Sequence, residues 1–267
     1  MYGDEIFIFA RGSAVGCPIE ISSVADIVID VDNYMIGTII AKQAYNMGAS
    51  TIAHISFERH LGMHNMNQRR TAMKETALEL GLNWIDLEAP DPALEGIAQT
   101  QIYIMENVPR WVDEFGQNTA FFATNCGMQE PLIRQIAQYG GLFPSQCCLS
   151  PYHGLPFTFN INREGRENDV EFLLNQLTTA IYEAGATGRI STWPVSFETL
   201  SVEVGVLYAF EYLEGRTINR NDPEVLHRII NEVAATYDAT ATIRNKQKDD
   251  GTVIDNYYLI LLDFITL

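Results

Sequence analysis

The sequence lacks most of the short signals that announce a chemistry. It contains no G-x-S-x-G elbow, so serine hydrolysis of that type has no support. It contains no Walker loop and no G-x-G-x-x-G, so nucleotide phosphate binding has no positive signal. Basic residues are scarce: 17 Lys and Arg stand against 34 Asp and Glu, for a net charge of −17. That balance argues against nucleic-acid binding, because phosphate contact requires a basic face. Only four cysteines occur, Cys17, Cys126, Cys147 and Cys148. They are too few and too irregular for a disulfide framework. The adjacent pair Cys147-Cys148 reads as buried strand residues, with a metal or redox role as the alternative. No apolar run reaches membrane-spanning length, and "YYLILLDFITL", interrupted by Asp263, reads as a buried strand. "MYGDEIFIFARG" has no basic region followed by an apolar run and a small-residue cleavage site, so no secretory signal is read there.

What is present is an ordinary globular composition, 47% hydrophobic and 19% charged over 267 residues, enough for one large domain or two small ones. Short β-like runs alternate with helical patterns. "EIFIFA" and "ADIVIDV" predict strands. Ile36, Ile39, Ile40, Ala44 and Met47 then fall on one helical face, and Gly48 stops that helix. "TIAHISF" is the next strand, followed by a helix marked by Met66, Met73, Ala77 and Leu80 and stopped by Gly81. "NWIDLEA" predicts a strand. The segment from Asp91 to Phe115 is helical in pattern but broken at Pro109, which starts a new helix. "TAFFATN" and "SQCCLS" predict strands on either side of a helix opened by Pro131. Val170, Leu173, Leu174, Leu177, Ile181 and Ala184 make an amphipathic helix, "RISTWPV" an extended crossing segment. Helices from Leu200 to Glu214 and from Asp222-Pro223 to Tyr237 precede the terminal strand.

This alternation implies parallel sheets with covered faces. Ligands of such sheets sit beyond the carboxyl ends of the strands. That side collects Arg11, Asp32-Asn33, Phe57 to His64, Asn125 to Met128 and Ser150 to His153. His60 and His64, in "HLGMH", have the spacing of two ligands on one helical face, but Leu61 stands where H-E-x-x-H requires Glu. They read as solvated histidines, with a metal site as the alternative. Cys126 at a strand end would make a thiol nucleophile near a helix N-terminus, with His153 as its base. Arg69 and Arg70 are expected in the first turn of a helix, where they oppose its dipole. Either a ligand or carboxylate compensates them, or they are a solvated pair. Trp193, before Pro194, reads as a packed tryptophan or as a stacking platform for a ring.

The order of motifs carries a resemblance. "VDNYMIGTIIAKQAYNMGASTIAHIS" resembles the segment where a type I periplasmic-binding protein, or the effector domain of a lactose-repressor-like regulator, leaves its first lobe and enters its second. "TAFFATNCGMQEPLIRQIAQYGG" resembles their strand-Asn-Asp-helix motif. "GRISTWPVSFETLSVEVGVLYAFEYLEGR" is similar to their second interlobe crossing, and "YYLILLDFITL" to the third. "HISFERH", "TAFFATNCGMQEPLI" and "QCCLSPYHG" further resemble an uncharacterised bacterial family with this fold and often with lipoprotein signals.

The resemblance implies an α/β fold of two lobes with parallel sheets and three crossings. Residues 33–192 plus 255–267 would form the complete second lobe, and 1–32 plus 195–245 a remnant of the first. It implies non-catalytic binding of a small polar solute in an interlobe cleft, as part of an ABC-type uptake or sensing system with a membrane permease. An enzyme using Cys126 with His153, or a His60/His64 metal site, is the alternative, and a regulator's effector domain the second. The implied ligand contacts are Arg11, Arg69, Asn125, Ser150, Tyr152 and Trp193, with Asp32 and Asn33 at the first hinge and no cofactor or metal. Cys126 and Ser150 replace acids that sugar binders carry, so an anionic or ring-bearing solute suits these positions better than a simple sugar. The family's first strand-helix units have no counterpart ahead of "EIFIFA", which reads as a truncated reading frame, with a genuinely shorter protein as the alternative. Weak solute binding and self-association through the incomplete lobe are the expectations. The full-length family implies a periplasmic or cell-surface lipoprotein. The absence of a signal here leaves a cytoplasmic location open.

Overall fold

The structure is a computed structural model that describes residues 6–12, 18–248 and 250–267. Cys17 and the first residue of "EIFIFA", Glu5, lie outside them. In chain order the elements begin with β1 (Phe9–Arg11), α1 (Pro18–Ser22), β2 (Ile27–Val31), α2 (Asn33–Asn46), β3 (Thr51–Ser56), α3 (Glu58–Leu61), α4 (His64–Glu79), β4 (Asn83–Glu88), α5 (Ile97–Phe115) and β5 (Thr119–Ala123). A 3-10 turn, Cys126–Met128, leads into α6 (Gln129–Tyr139), α7 (Leu155–Thr158), α8 (Val170–Glu183), β6 (Ser191–Thr192), α9 (Phe197–Leu213), α10 (Pro223–Thr236), β7 (Ala241–Gln247), β8 (Val253–Leu262) and β9 (Ile265–Thr266). The chain divides into two compact units, Met1–Asp32 with Phe197–Asp263, and Asn33–Ser196 with Phe264–Leu267. It therefore passes between them three times.

The first unit holds a sheet in the order β1-β2-β8-β7. β2 is parallel to both neighbours, with Phe9 opposite Ile27 and Val28 opposite Tyr257. β7 closes the edge antiparallel to β8. Here the terminal strand departs from the sequence expectation. The sequence pattern places 255–267 in the second lobe, yet β8 belongs to the first unit. β2 is fully buried at Ile27, Val28 and Ile29, and such a central strand needs a partner on each edge to satisfy its backbone. β1 supplies one and β8 the other. Only the last four residues return, and β9 pairs antiparallel with β6.

The second unit holds the parallel sheet β4-β3-β5. "ADIVIDV" and "TIAHISF" thus lie in different sheets. β3 is buried along its whole length, as expected of a strand covered on both faces. The core joins Ile55, Ile104, Phe121, Leu132, Leu173 and Leu177. α2 stops at Asn46 before Gly48, whose φ of 85° is the left-handed conformation glycine accepts most readily.

Three local expectations are corrected. Pro109 does not break α5, which runs unbroken from Ile97 to Phe115. The carbonyl that loses its donor belongs to Met105, whose side chain is on the exposed side of the helix, while Ile104, Val108 and Val112 anchor both flanks in the core. α4 starts at His64, so Arg69 and Arg70 sit in its second turn, past the strongest part of the dipole. "SQCCLS" forms no strand. Phe143 and Ile190 make an isolated parallel bridge instead, and side chains satisfy the segment beyond: Gln146 Nε2 donates to Thr192 Oγ1 at 2.9 Å, and Gln129 Oε1 accepts from the Cys147 amide at 3.3 Å.

Candidate functional site

The polar groups of the second unit gather where β3 and β5 end. Ser56 and Thr124 join their hydroxyls at 2.9 Å, and His60 Nδ1 lies 3.1 Å from Thr124 Oγ1. His60 packs on Phe57 with ring centroids 4.2 Å apart. Partial burial lowers its pKa, so it is a neutral structural imidazole at pH 7. His64 is exposed at the start of α4. Neither histidine joins a group of three or more metal-capable side chains among the described residues.

Asn125 caps the following turn, its Oδ1 accepting from the Gly127 amide at 2.9 Å. The turn presents Cys126, and the loop after Phe143 brings up Cys147 and Cys148. The Cys126–Cys147, Cys147–Cys148 and Cys126–Cys148 sulfur separations are 3.8, 3.8 and 3.9 Å. Ser150 then turns the chain: its carbonyl accepts from the His153 amide at 3.2 Å and its hydroxyl from the Tyr152 amide at 3.3 Å. The turn delivers His153 to the three thiols, and all four potential ligand atoms lie within 4.8 Å of one another. Hydrogen bonds from Cys147 and Cys148, and then His153, hold the Cys126 thiol far below the usual thiol range. Its own contacts with Cys126 and Cys148, with burial, raise Cys147. His153 is pushed up to about 10 by its hydrogen bonds to Cys126 and Cys148, which outweigh its burial. Cys126 and Cys148 are exposed and Cys147 is buried.

Arg69 stands behind this group. Arg69 as a whole is 7% exposed. NH1 donates to the Cys147 carbonyl at 3.0 Å and NH2 to Asn33 Oδ1 at 2.9 Å, while Nε has no partner among the described residues. Burial lowers its pKa, and the Cys147 and Cys148 thiols oppose that shift. Arg70 instead makes a bidentate pair with Asp86, at 2.7 and 2.5 Å.

The structure disperses the remaining candidates. Arg11 lies in the first unit, 2.7 Å from Glu198, with its guanidinium over Phe197. Trp193 is fully buried and is a packed tryptophan, which excludes its use as an open stacking surface. Tyr152 packs beside the core under the Arg163 guanidinium. Asp32 is buried and accepts from Arg244 Nε, and the change of unit falls between it and Asn33. Sequence reasoning paired Cys126 with His153 but left Cys147 and Cys148 in a separate strand. The available signal was the close spacing of Cys147, Cys148 and His153, one loop beyond a strand end that already carried Cys126.

Two α/β units joined by three chain crossings, one with a parallel sheet and the other with a sheet parallel but for its β7 edge, define a protein of the type I periplasmic-binding-protein-like fold. Within that class the chain belongs to the family described as Protein of unknown function (DUF3798), which matches residues 3–191. An uncharacterized protein of Treponema pallidum (strain Nichols) is 34% identical over 128 residues, or 47% of this chain. That match covers 59% of the relative, so the chain spans less than two thirds of its length. A crystal structure from Clostridium difficile 630, named as a candidate transcriptional regulator, overlays 99% of this chain and 73% of its own at a TM-score of 0.85. At 17% identity it shows the fold alone. An arabinose-binding protein from Geobacillus stearothermophilus overlays 84% of this chain and 64% of its own, at 13% identity and a TM-score of 0.44.

Proposed function

We propose that this protein binds a small polar solute and does not transform it. The observation that carries this reading is an open cavity of about 430 Å³ at the carboxyl ends of β3 and β4, lined by His54, Ser56, Glu58, Leu61, Asp86 and Glu88 among others. Its volume is that of a small-molecule site, typically about 300–1,000 Å³. Its position is where parallel sheets bind ligands. Glu58 and Glu88 offer hydrogen-bond acceptors, while Asp86 is held by Arg70, so hydroxyl or ammonium groups suit it and an anion does not. Ion pairing of Arg11 and burial of Arg69 also weigh against the anionic solute that the sequence suggested. Asn125, Ser150 and Tyr152, on the loops after β5, remain proposed contacts. The unit boundary at Asp32-Asn33 supports a hinge there.

In this reading the protein serves an ABC-type uptake or sensing system outside the cytoplasmic membrane, with a permease as partner. No helix of the described residues is long and apolar enough to cross a membrane. The test is a thermal-shift screen of sugars, polyols, amino acids and polyamines, followed by calorimetry on Glu58→Ala, Glu88→Ala and the double variant. A 1:1 complex weakened about tenfold by each substitution, the size of a lost hydrogen bond to a charged acceptor, supports the proposal. No stabilising compound across the panel, or turnover of the one that binds, overturns it.

A further inference from the structure

We propose that Cys126, Cys147, Cys148 and His153 form a mononuclear zinc site of the Cys3His type. The argument is geometric. A tetrahedral ion with metal–sulfur bonds of about 2.3 Å places its sulfurs about 3.8 Å apart. The three thiols stand 3.8, 3.8 and 3.9 Å apart, and His153 adds a nitrogen within 4.8 Å of all of them. Three sulfurs in mutual contact leave room for one ion and not for an iron–sulfur cluster, which spreads its thiolates over several irons. The donor set is three soft thiolates and one imidazole, the chemistry that zinc selects over magnesium or calcium.

The surroundings are those of a prepared site. Gln129, fully buried, joins both arms that carry the cysteines. Its Nε2 donates to the carbonyls of Ala123 and Asn125, each at 3.0 Å, and its Oε1 accepts from the Cys147 amide. Arg69 holds the Cys147 carbonyl from the other side. Such outer contacts fix ligand direction before the metal arrives. Three thiolates around a divalent ion also leave one net negative charge, which suits a neighbouring guanidinium that has no carboxylate partner among the described residues. Cys126 and Cys148 are exposed, so the ion has a way in. Once bound, it ties the turn after β5 to the loop that carries Ser150 and Tyr152. Solute binding is a separate matter, and either proposal stands without the other.

The experiment uses the full chain, purified under reducing conditions, stripped with a chelator and titrated anaerobically with zinc and then with cobalt. We expect one zinc per chain by elemental analysis. The cobalt form should show the intense visible bands of a tetrahedral ion and near-ultraviolet charge transfer of a strength given by three thiolates. Cys126→Ser and Cys148→Ser change exposed side chains, and His153→Ala a half-buried one. Each should keep the wild-type circular dichroism while losing at least about 100-fold in zinc affinity, more than an outer contact supplies. Bands unchanged in these variants, an octahedral cobalt spectrum, or no stoichiometric zinc would overturn the proposal. So would a disulfide among the three cysteines that forms in air equally with and without zinc.

Discussion

Gly37→Ala tests the packing that places Arg69. Gly37 lies in α2, and a Cβ there would stand 2.1 Å from the Arg69 carbonyl oxygen and 2.9 Å from the Met73 amide nitrogen. Close C···O approaches settle at roughly 3.3 Å, so α4 would have to withdraw by about 1 Å. The obstacle is backbone, and no rotamer change relieves it. Overpacking of this kind costs about 1–3 kcal/mol. The gain in helix propensity, about 1 kcal/mol for alanine over glycine, opposes it. A contact of 2.1 Å against backbone puts the cost in the upper half of the overpacking range, about 2–3 kcal/mol, so the clash should win and leave the variant about 1–2 kcal/mol less stable, with a lowered urea midpoint and an unchanged slope. Gly62→Ala is the control: Gly62 has φ −73°, and its nearest Cβ contact would be an ordinary 3.5 Å. That change should be close to neutral. A Gly37→Ala protein as stable as the wild type, or more stable by the propensity gain alone, would refute the close approach of α2 and α4.

Other substitutions reach different parts of the chain. His54 is 2% exposed, and burial, only partly offset by Asp86, lowers its pKa to about 4. Its contribution is complete above pH 6.5 and is lost as pH falls through 4, because the unfolded chain takes up the proton first. That loss amounts to roughly 3 kcal/mol, so His54→Leu should show a correspondingly shallower fall in stability between pH 7 and 4, and an unchanged profile would refute it. Asp222 caps α10 by accepting from the Glu224 and Val225 amides at 3.1 and 3.3 Å. Asp222→Ala should therefore cost about 1–2 kcal/mol by chemical denaturation. Val202, Val206, Phe210 and Leu213 leave an apolar stripe exposed on α9, and we expect concentration-dependent self-association by light scattering that Val206→Glu with Phe210→Glu abolishes. A wild-type chain monomeric at every concentration would sink that expectation.

The fold was legible where periodicity and punctuation agree. The buried face of α8 at Val170, Leu173, Leu177 and Ile181 follows directly from helical spacing. The Asp222-Pro223 start of α10 follows from cap chemistry. Legibility failed where a local rule met tertiary support. Pro109 breaks an isolated helix but not one pinned by Ile104, Val108 and Val112. β8 carries an apolar run that either sheet would accept, and only the open edge of β2 decides between them. Among the candidate ligands, the engagement of Arg11 by Glu198 and of Trp193 by the core depends on residues far away in sequence.

The Cys126–His153 group illustrates the same limit from the other direction. In a strand, successive side chains point to opposite faces. Had "SQCCLS" been the strand its composition suggested, Cys147 and Cys148 could not both have reached Cys126. The irregular backbone is what brings their sulfurs to 3.8 Å from each other. That irregularity is affordable only because polar side chains replace the missing ladder, with Gln129 answering the Cys147 amide and Arg69 its carbonyl. Gln129 also accounts for two carbonyls at the end of β5. One buried amide thereby fixes two loops that are remote in sequence against each other. The alternation that identified the strands is suspended at the one place where adjacent cysteines can act together, so the departure from the pattern is the physical condition for the site.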